Sequence, residues 1–416
     1  MGEKVKTVRG FRDLIGEEAR KYRYVVETAR NILERYNFEE IILPTVEYTK
    51  LFARSIGEAT DIVEKEKFTF QDKGGRDIAL RPEGTAGAVR AYIENKLYAD
   101  GTYKKLYYEG SMFRHERPQK GRYREFHQIG AEVLGTSNPL ADAEIIKIAD
   151  DILKALKVDA RIEINSLGCK KCRPQYREAL LNYLKEHKEE LCEDCQRRLE
   201  RNPLRILDCK VESCQLIAKN APKITDFLCE ECKTHHQRVK EYLKALGVEF
   251  VENPYLVRGL DYYSKTVFEC VSEELGKTVI AGGRYDYLVE ELGGPPTPAL
   301  GFAAGVERLM LLVKELPKRP PLVLVIPFGG EREKMEALKI AQRLREAGIR
   351  TELSYREGKI RKQFEFANKI GADYAIVVGE NELKEGLFPL KNLHTREEKR
   401  LPLGEIIELL SEVSKV

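Results

Sequence analysis

The sequence predicts an α+β domain with a helical insertion, followed by a small α/β domain. Up to residue 316, stretches with helical spacing of apolar residues alternate with short apolar runs typical of strands. Between residues 166 and 240 the composition changes, and eight of the nine cysteines lie there among charged helical segments. After a linker with three prolines, at residues 317–321, continuous apolar runs typical of buried parallel strands follow. We therefore predict a first domain over residues 1–316, with 166–240 inserted into it, and a second over 321–416.

The N-terminal elements follow from the periodicity of apolar residues. Residues 18–36 carry apolar side chains at helical spacing, with charges on the opposite face, which predicts a helix. The apolar run 41–43 predicts a strand that ends at the proline after it. Short strands are predicted at 67–71 and 106–109, and a helix is predicted to begin near Thr85 between them.

The remaining elements lie after the insertion. Strands are predicted at 266–271 and 278–281, and the apolar stretch 301–312 predicts a helix that carries Glu307 and Arg308. The second domain is predicted to alternate strands at 322–328, 350–355 and 373–379 with helices at 331–347 and 360–371. Right-handed crossovers are expected between its parallel strands.

Charge and hydropathy exclude some classes of protein. The formal net charge is only +3, so a nucleic-acid partner cannot be inferred from overall charge. The charged N-terminus lacks the apolar core of a signal peptide, and no run of about 18 apolar residues occurs. We therefore expect a soluble cytoplasmic protein that does not bind membranes. Cysteines in that compartment indicate thiols or a metal site and not a disulfide framework.

The densest cluster of charged side chains lies at residues 110–132. Five cations follow one another there, namely Arg114, Arg117, Lys120, Arg122 and Arg124. Pro118 and Gly121 interrupt any helix, which predicts a strand, a loop and a second strand. Guanidinium groups presented from a turn can each bind two oxygens of an oligophosphate. The alternative is a solvated basic hairpin without a ligand.

Three further stretches combine apolar and charged residues. They are Leu-Val-Arg-Gly-Leu-Asp-Tyr-Tyr at 256–263, Ala-Gly-Gly-Arg-Tyr-Asp at 281–286 and the predicted helix 301–312. Each alone is compatible with a structural role, as a hydrogen-bonded corner, a tight turn or a salt bridge. Neighbouring residues on a helix do not face each other, so Arg308 needs an anion other than Glu307. Since no P-loop or Rossmann glycine fingerprint is present, arginines would have to hold a nucleotide.

In this order, the four stretches resemble class II aminoacyl-tRNA synthetases, specifically the histidyl-tRNA synthetase family. Phe-Arg-His-Glu at 113–116 resembles class II motif 2, 301–308 resembles motif 3, and the helix that leads to Pro44 resembles motif 1. The stretches 256–263 and 281–286 resemble two histidine-specific signatures, and the C-terminal region resembles the anticodon-binding domain. The resemblance implies an antiparallel sheet flanked by helices around the active site. It also implies a homodimer that forms through residues around 25–44.

The resemblance implies a site for L-histidine. Glu83 and Thr85 would meet its amino group. Its imidazole would lie between Glu132 and Tyr263, with Gln128 and Tyr262 nearby.

The resemblance also implies an adjoining site for ATP. Arg114 and Arg258 would hold the α-phosphate, and Phe126 would stack on adenine. Arg308 would bind the bent triphosphate together with the motif 2 loop, which contains Glu116 and Arg122. Arg258 would take a role that other class II enzymes leave to Mg²⁺, while Mg²⁺ would still bridge the outer phosphates. The second substrate would be histidine tRNA.

Two other classes of protein compete with an enzyme. The regulatory subunit of ATP phosphoribosyltransferase resembles the synthetase catalytic domain and would sense histidine without catalysis. That relative lacks the anticodon-type domain and the second signature, whereas 322–416 and 258–263 are both present here. A zinc-stabilised nucleic-acid binder would explain the cysteines and the basic loop but not the motif 3 stretch.

The cysteines of the insertion form three CxxC pairs with two further cysteines between them. Their spacing permits one Cys₄ zinc site from Cys169, Cys172, Cys229 and Cys232, and a second from Cys192, Cys195, Cys209 and Cys214. Scattered reduced thiols are the alternative, as are disulfides if the source is hyperthermophilic. Because both groups lie far in sequence from the activation motifs, we expect zinc to support folding and tRNA contact, not adenylate chemistry.

Overall fold

The computed structural model describes residues 4–57, 60 and 62–414. The chain forms two compact units, Met1–Leu316 and Pro317–Val416. Within the described ranges, no helix combines the length and the apolar character needed to cross a membrane.

In the described residues of the first unit, eleven strands form two sheets. They are β1 (Glu39–Glu40), β2 (Val46–Tyr48), β3 (Thr69–Gln71), β4 (Asp77–Leu80), β5 (Lys104–Phe113), β6 (Glu125–Leu134), β7 (Arg161–Ser166), β8 (Val251–Glu252), β9 (Ser264–Ser272), β10 (Lys277–Arg284) and β11 (Ala299–Gly305). The large sheet has the order β1-β5-β6-β11-β10-β9-β7-β8, and the small one has the order β2-β4-β3. The predicted antiparallel sheet is confirmed for the six inner strands, while β1 and β8 run parallel to their neighbours at the two edges.

Among the residues that the structure describes, ten α-helices of the first unit surround these sheets or build the insertion. They are α1 (Glu17–Arg35), α2 (Thr49–Ile56), α3 (Thr85–Glu94), α4 (Pro139–Ala155), α5 (Arg173–Glu186), α6 (Glu193–Arg201), α7 (Glu212–Ala218), α8 (Glu230–Ala245), α9 (Leu288–Glu291) and α10 (Val306–Leu312). A π-helical turn spans Ile62–Glu66, and short 3₁₀ helices span Lys188–Glu190, Pro203–Asp208 and Ile224–Phe227. Helices α5, α6 and α7 lie between β7 and α8, in the region where the sequence predicts a helical insertion.

Strand β6 has one face toward the helices and the other away from them. Ile129, Ala131 and Val133 are buried in one apolar core with residues of α1 and α4. Because side chains alternate along a strand, the intervening residues point to the opposite face of the sheet. That face carries Gln128 and Glu132.

Two predicted elements of the first unit were wrong. The stretch 301–312 is not one helix, because β11 runs to Gly305 and α10 begins only at Val306. A short, wholly apolar run does not distinguish a buried strand from a buried helix. The run 41–43 is not a strand, because the ladder of β1 ends at Glu40 and the Leu43 carbonyl accepts a hydrogen bond from Arg81 Nη1 at 3.0 Å.

A buried ion pair connects the sheet to two helices. Arg284, at the end of β10, is fully buried, and its Nη2 lies 2.6 Å from Asp142 Oδ1 on α4. The other oxygen of Asp142 contacts His235 Nε2 of α8 at 2.8 Å, and Arg284 Nη1 donates to the Thr136 carbonyl. Removal of Asp142 would leave Arg284 only its 3.1 Å contact with Asp286 among the carboxylates of the described residues, and removal of Arg284 would leave the buried Asp142 without a guanidinium. Either change is expected to be strongly destabilising.

The second unit is a five-stranded sheet with four helices. Its elements are β12 (Val323–Phe328), α11 (Glu331–Glu346), β13 (Thr351–Leu353), α12 (Ile360–Lys369), β14 (Tyr374–Gly379), α13 (Glu380–Glu385), β15 (Phe388–Asn392), β16 (Glu398–Leu401) and α14 (Leu403–Ser414). The predicted parallel pairing is confirmed for β12 with β13 and β14. Strands β15 and β16, which add to the sheet in antiparallel fashion, were not predicted from the sequence.

Candidate functional site

One cavity of about 390 Å³ in the first unit brings together every side chain that the family resemblance assigned to histidine or ATP. These residues are Glu83, Thr85, Arg114, Glu116, Arg122, Phe126, Gln128, Glu132, Arg258, Tyr262, Tyr263 and Arg308. They come from strand β6, the loop before it, the start of α3, the segment before β9 and helix α10. Residues far apart in sequence therefore share one site.

At one end of the cavity lies the carboxylate of Glu132, which is fully buried. Its Oε1 accepts hydrogen bonds from the hydroxyls of Thr85 at 2.7 Å and Tyr108 at 2.9 Å. Its Oε2 accepts one from the Tyr285 hydroxyl at 2.5 Å. Burial raises the pKa of Glu132 to about 8, although these three hydroxyls favour the ionised form.

Glycines make room for this hydrogen-bonded cluster. A side chain at Gly301 would overlap Glu132 Oε2, and one at Gly130 or Gly84 would overlap the Tyr108 ring. Any larger residue at these positions would displace the groups that satisfy the buried carboxylate. The glycines are therefore required by close approach, not by a tight turn.

Further polar groups surround Glu132. Glu83 accepts the backbone N–H groups of Thr85 at 2.7 Å and Ala86 at 2.9 Å, at the first turn of α3, and burial raises the pKa of Glu83. The buried Oε1 of Gln128 has no hydrogen-bond partner within the described part of the chain. An acceptor of this kind, beside two carboxylates, fits a small ligand that carries several N–H donors.

Arginines line the rest of the cavity. Arg308 Nη1 donates to the Thr278 carbonyl at 2.6 Å, and burial lowers the pKa of Arg308, as do the neighbouring cations Arg122 and Arg114. Glu307 points elsewhere and accepts from the ring Nδ1 of His127 at 2.6 Å, which confirms that Glu307 and Arg308 do not pair. Converging cations of this kind favour a polyanionic ligand.

Arg258 lies between the two ends of the cavity. Its Nη1 pairs with Glu269 Oε1 on β9, and its guanidinium lies 5.7 Å from the centroid of the Tyr263 ring. Its Nε is buried and has no partner among the described residues. Arg114, which also lines the cavity, donates from Nε to the Pro82 carbonyl at 2.9 Å and lies 5.1 Å from the centroid of the Phe126 ring.

Several groups at this site were not predicted from the sequence. Tyr285 lies within the stretch 281–286, and Glu269 and Thr278 flank that stretch on β9 and β10. Tyr285 could have been found from its position next to Arg284 in that stretch. Arg284 does not line the cavity, however, because it is buried against Asp142 on α4. Asp208 and Lys210 also line the cavity, and nothing in the sequence connects the insertion with the site.

The eight cysteines of the insertion form two groups of four. In each group, one from Cys169, Cys172, Cys229 and Cys232 and one from Cys192, Cys195, Cys209 and Cys214, the sulfur atoms all lie within 4.8 Å of one another. The Sγ atoms of Cys169 and Cys172 are 3.7 Å apart, and those of Cys192 and Cys209 are 3.9 Å apart. These distances are too long for disulfides, whose sulfurs lie about 2 Å apart. Four thiolates on a tetrahedral Zn²⁺ at about 2.3 Å would stand roughly 3.8 Å apart.

Comparison with known proteins identifies close relatives. The family model described as histidyl-tRNA synthetase matches residues 10–309, and that of an anticodon binding domain matches residues 322–413. The chain is 60% identical to a protein of Aquifex aeolicus named histidine–tRNA ligase, over 97% of this chain and 100% of the relative. It is 47% identical to one of the same name from Halothermothrix orenii, over 97% of this chain and 98% of the relative. The crystal structure of apo S. aureus histidyl-tRNA synthetase superposes with a TM-score of 0.83 at 37% identity, covering 98% of this chain and 100% of that one.

We predict that Glu132→Gln stabilises the ligand-free protein increasingly as pH rises. The pKa of Glu132 is raised from 4.5 to about 8, so between these values the folded protein keeps a proton that the unfolded chain releases. The free energy of unfolding of the parent therefore falls across this interval, and glutamine removes that contribution. Urea denaturation at several pH values should show the midpoint difference moving in favour of the variant up to about pH 8. Exposed Glu290→Gln, as the control, should follow the parent; parallel curves for parent and Glu132→Gln would contradict the assignment.

Proposed function

The chain belongs to the histidyl-tRNA synthetase family, and we propose that the cavity described above joins histidine to ATP before the amino acid passes to tRNA. The activity is that of an ATP-dependent histidine–tRNA ligase, as the near full-length identity to proteins of that name supports. The match of residues 322–413 to an anticodon-binding domain argues against a regulatory subunit without catalysis.

The observation that carries this proposal is the division of one cavity into an acidic and a basic end. Glu83 and Glu132 are buried at the end that suits a small ligand rich in N–H donors. Arg114, Arg122 and Arg308 lie close enough together for their charges to interact, at the end that suits a triphosphate. The two ligands would meet beside Arg258, where the reacting carboxylate and α-phosphate must come together.

At the acidic end, we assign the amino group of histidine to Glu83 and Thr85. The imidazole would lie between Glu132 and Tyr263, with Gln128 and Tyr262 nearby. The orphaned Gln128 Oε1 would gain a donor when the ligand binds. A ligand without the imidazole nitrogens would leave buried polar groups unpaired, so such a site can discriminate by roughly 10⁴-fold without editing.

At the basic end, fixed cations provide the catalysis. The histidine carboxylate attacks the α-phosphorus, pyrophosphate leaves, and negative charge increases on the α-phosphate oxygens in the transition state. Arg258 and Arg114 would stabilise that charge, while Arg308, Arg122 and Glu116 position the outer phosphates and Phe126 stacks on adenine. In the second step, a hydroxyl of the terminal tRNA ribose attacks the histidyl carbonyl and AMP leaves. Both nucleophiles come from substrates, so no side-chain nucleophile is required.

We propose that Mg²⁺ binds together with ATP at the basic end, where it would offset the negative charge of the phosphates. The carboxylates Glu116 and Glu269 line the cavity, and oxygen ligands suit this ion. Both carboxylates already pair with arginines, namely Arg122 and Arg258. Phosphate oxygens and water would therefore supply most of its ligands.

We also propose that each group of four cysteines holds one structural zinc ion. The separations between the sulfur atoms match a tetrahedral thiolate site. Backbone N–H groups of Cys229 and Cys192 donate to the sulfurs of Cys172 and Cys214, at 3.1 and 3.3 Å. Metal analysis of protein purified without chelator should give two zinc ions per chain. We place the protein in the cytoplasm, where ATP and tRNA are available and thiols stay reduced.

A homodimer is the proposed oligomeric state. The apolar residues of α1 are already buried in the core of the same chain, among them Val25, Val26 and Ile32. Ile42, which is 89% exposed, remains beside Val46 and Tyr48, which are 40% and 45% exposed. We infer that a second copy of this chain covers these residues next to the sheet edge formed by β1.

Alanine at Arg258 or Arg114 should lower histidine-dependent ATP–pyrophosphate exchange by at least about 10²-fold, the scale for loss of a preorganised charge donor. Arg114→Ala is the cleaner test, because Arg258→Ala also removes the cation that pairs with the half-buried Glu269. Exposed Arg117→Ala, in the same loop, is the matched control and should stay within about twofold of the parent. Exchange at the parent rate in both site variants would refute these roles.

A chain that ends near Lys318 should keep histidine-dependent pyrophosphate exchange, because the whole cavity belongs to the first unit. Its rate of tRNA charging should fall by at least about tenfold, since one of two tRNA-binding surfaces is lost. Charging measured with labelled histidine decides this. Undiminished charging would exclude an anticodon-binding role for the second unit.

Ile42→Glu should convert the dimer to a monomer, because it would bury an unpaired charge in the proposed interface. Light scattering after size-exclusion chromatography measures the change in mass. Leu216→Glu in the insertion, at a residue that is 58% exposed, is the control and should remain dimeric. A variant at Ile42 with the mass of the parent dimer would place the interface elsewhere.

A further inference from the structure

The loop that carries Arg258 and Tyr263 is held in place by the insertion. This segment, residues 258–263, is called the substrate loop; it forms neither helix nor strand before β9 begins at Ser264. The guanidinium of Arg173 donates from Nη2 to the Tyr263 carbonyl at one end. The guanidinium of Arg205 donates from Nη1 to the Arg258 carbonyl, at 3.1 Å, at the other end. An irregular segment depends on such contacts for its shape, because no ladder satisfies its backbone.

Each of these two arginines is tied to one group of cysteines. Arg173 directly follows Cys172 at the start of α5. Arg205 lies on the 3₁₀ helix Pro203–Asp208, and Cys209 follows that helix immediately. Thus the first group of cysteines is next to the arginine that contacts Tyr263, at the C-terminal end of the substrate loop. The second group is next to the arginine that contacts Arg258, at the N-terminal end of the loop.

The segment that carries Arg205 is held by the apolar core of the insertion and by the second group of cysteines. Its 3₁₀ helix buries only Pro203 and Ile206, and isolated 3₁₀ turns are weak. The second cysteine group draws together the start of α6, the end of this 3₁₀ helix and α7. Two residues at the end of this segment, Asp208 and Lys210, line the substrate cavity. At its start, Asn202 Nδ2 donates a hydrogen bond to Asp261 Oδ1 of the substrate loop at 2.9 Å.

We propose that the two zinc sites position the substrate loop, the first through Arg173 on Tyr263 and the second through Arg205 on Arg258. The inference rests on the proposed function, since Tyr263 is assigned to the imidazole and Arg258 to the α-phosphate. The first site therefore governs affinity for histidine, and the second governs reaction with ATP. This differs from the expectation from sequence that zinc would act on folding and tRNA contact alone.

Glutamine substitution of each arginine separates the two effects while both cysteine groups stay intact. Arg173→Gln should raise the dissociation constant of histidine about tenfold, the scale for one charge-assisted hydrogen bond, as measured by equilibrium dialysis without ATP. Arg205→Gln should leave that constant within about twofold and lower kcat/KM for ATP about tenfold in pyrophosphate exchange. Exposed Arg177→Gln on α5 and Arg197→Gln on α6 are the matched controls and should resemble the parent.

Cysteine variants connect these effects to the metal. The parent should contain two zinc ions, and Cys229→Ser and Cys214→Ser should each contain one. Cys229→Ser should reproduce the histidine defect of Arg173→Gln, and Cys214→Ser the ATP defect of Arg205→Gln. Fewer than two zinc ions in the parent overturns the inference, as do arginine variants that match the parent. A parent that binds histidine but exchanges no pyrophosphate would instead overturn the proposed function, and the dialysis arm would still decide the inference.

Discussion

Taking the Glu132 carboxylate out of water costs several kcal/mol unless hydrogen bonds satisfy its oxygens, and the surrounding structure follows from that demand. The three hydroxyls that meet it come from α3, β5 and the residue after β10. Those elements must converge on a single point of the sheet. Convergence in turn leaves no room for a side chain at Gly301 or Gly130. The packing around this end of the cavity is thus determined by the carboxylate of Glu132.

The opposite end of the cavity has the complementary problem. Arg308 is half-buried near Arg114 and Arg122, and partial burial, together with repulsion by these two cations, lowers its pKa. Such an arrangement is tolerated because backbone carbonyls, among them that of Thr278, accept from the guanidinium groups. Both ends are therefore less stable without ligands than a neutral cavity would be. Strain of this kind is common where a protein must bind charged substrates, because the binding partner relieves it.

Much of this architecture could be predicted from the sequence, and the failures have physical reasons. The helix 18–36 has apolar residues at helical spacing, the buried strands of the second unit are continuous apolar runs, and the structure contains both. The strand β11 was missed because its apolar residues fit two kinds of element equally well. Side chains of the recognised motifs share a cavity, yet Tyr108 and Tyr285 were overlooked, since a tyrosine in a strand has no pattern that distinguishes a core residue from a carboxylate partner. The contacts of Arg173 and Arg205 with the substrate loop join segments far apart in sequence, so they become visible only in three dimensions.

Strand β6 also limits which changes in chain length the protein can accept. Its even-numbered residues Phe126, Gln128 and Glu132 line the cavity, while Ile129, Ala131 and Val133 lie in the core against the helices. Deletion of a single residue within the strand would exchange the two faces. The carboxylate would then point into the apolar core, and aliphatic side chains would line the cavity. The same deletion in the loop between β5 and β6 would leave the orientation of both sets of β6 side chains unchanged. Among related proteins, insertions and deletions should therefore be found in the loops between strands and not within the strands.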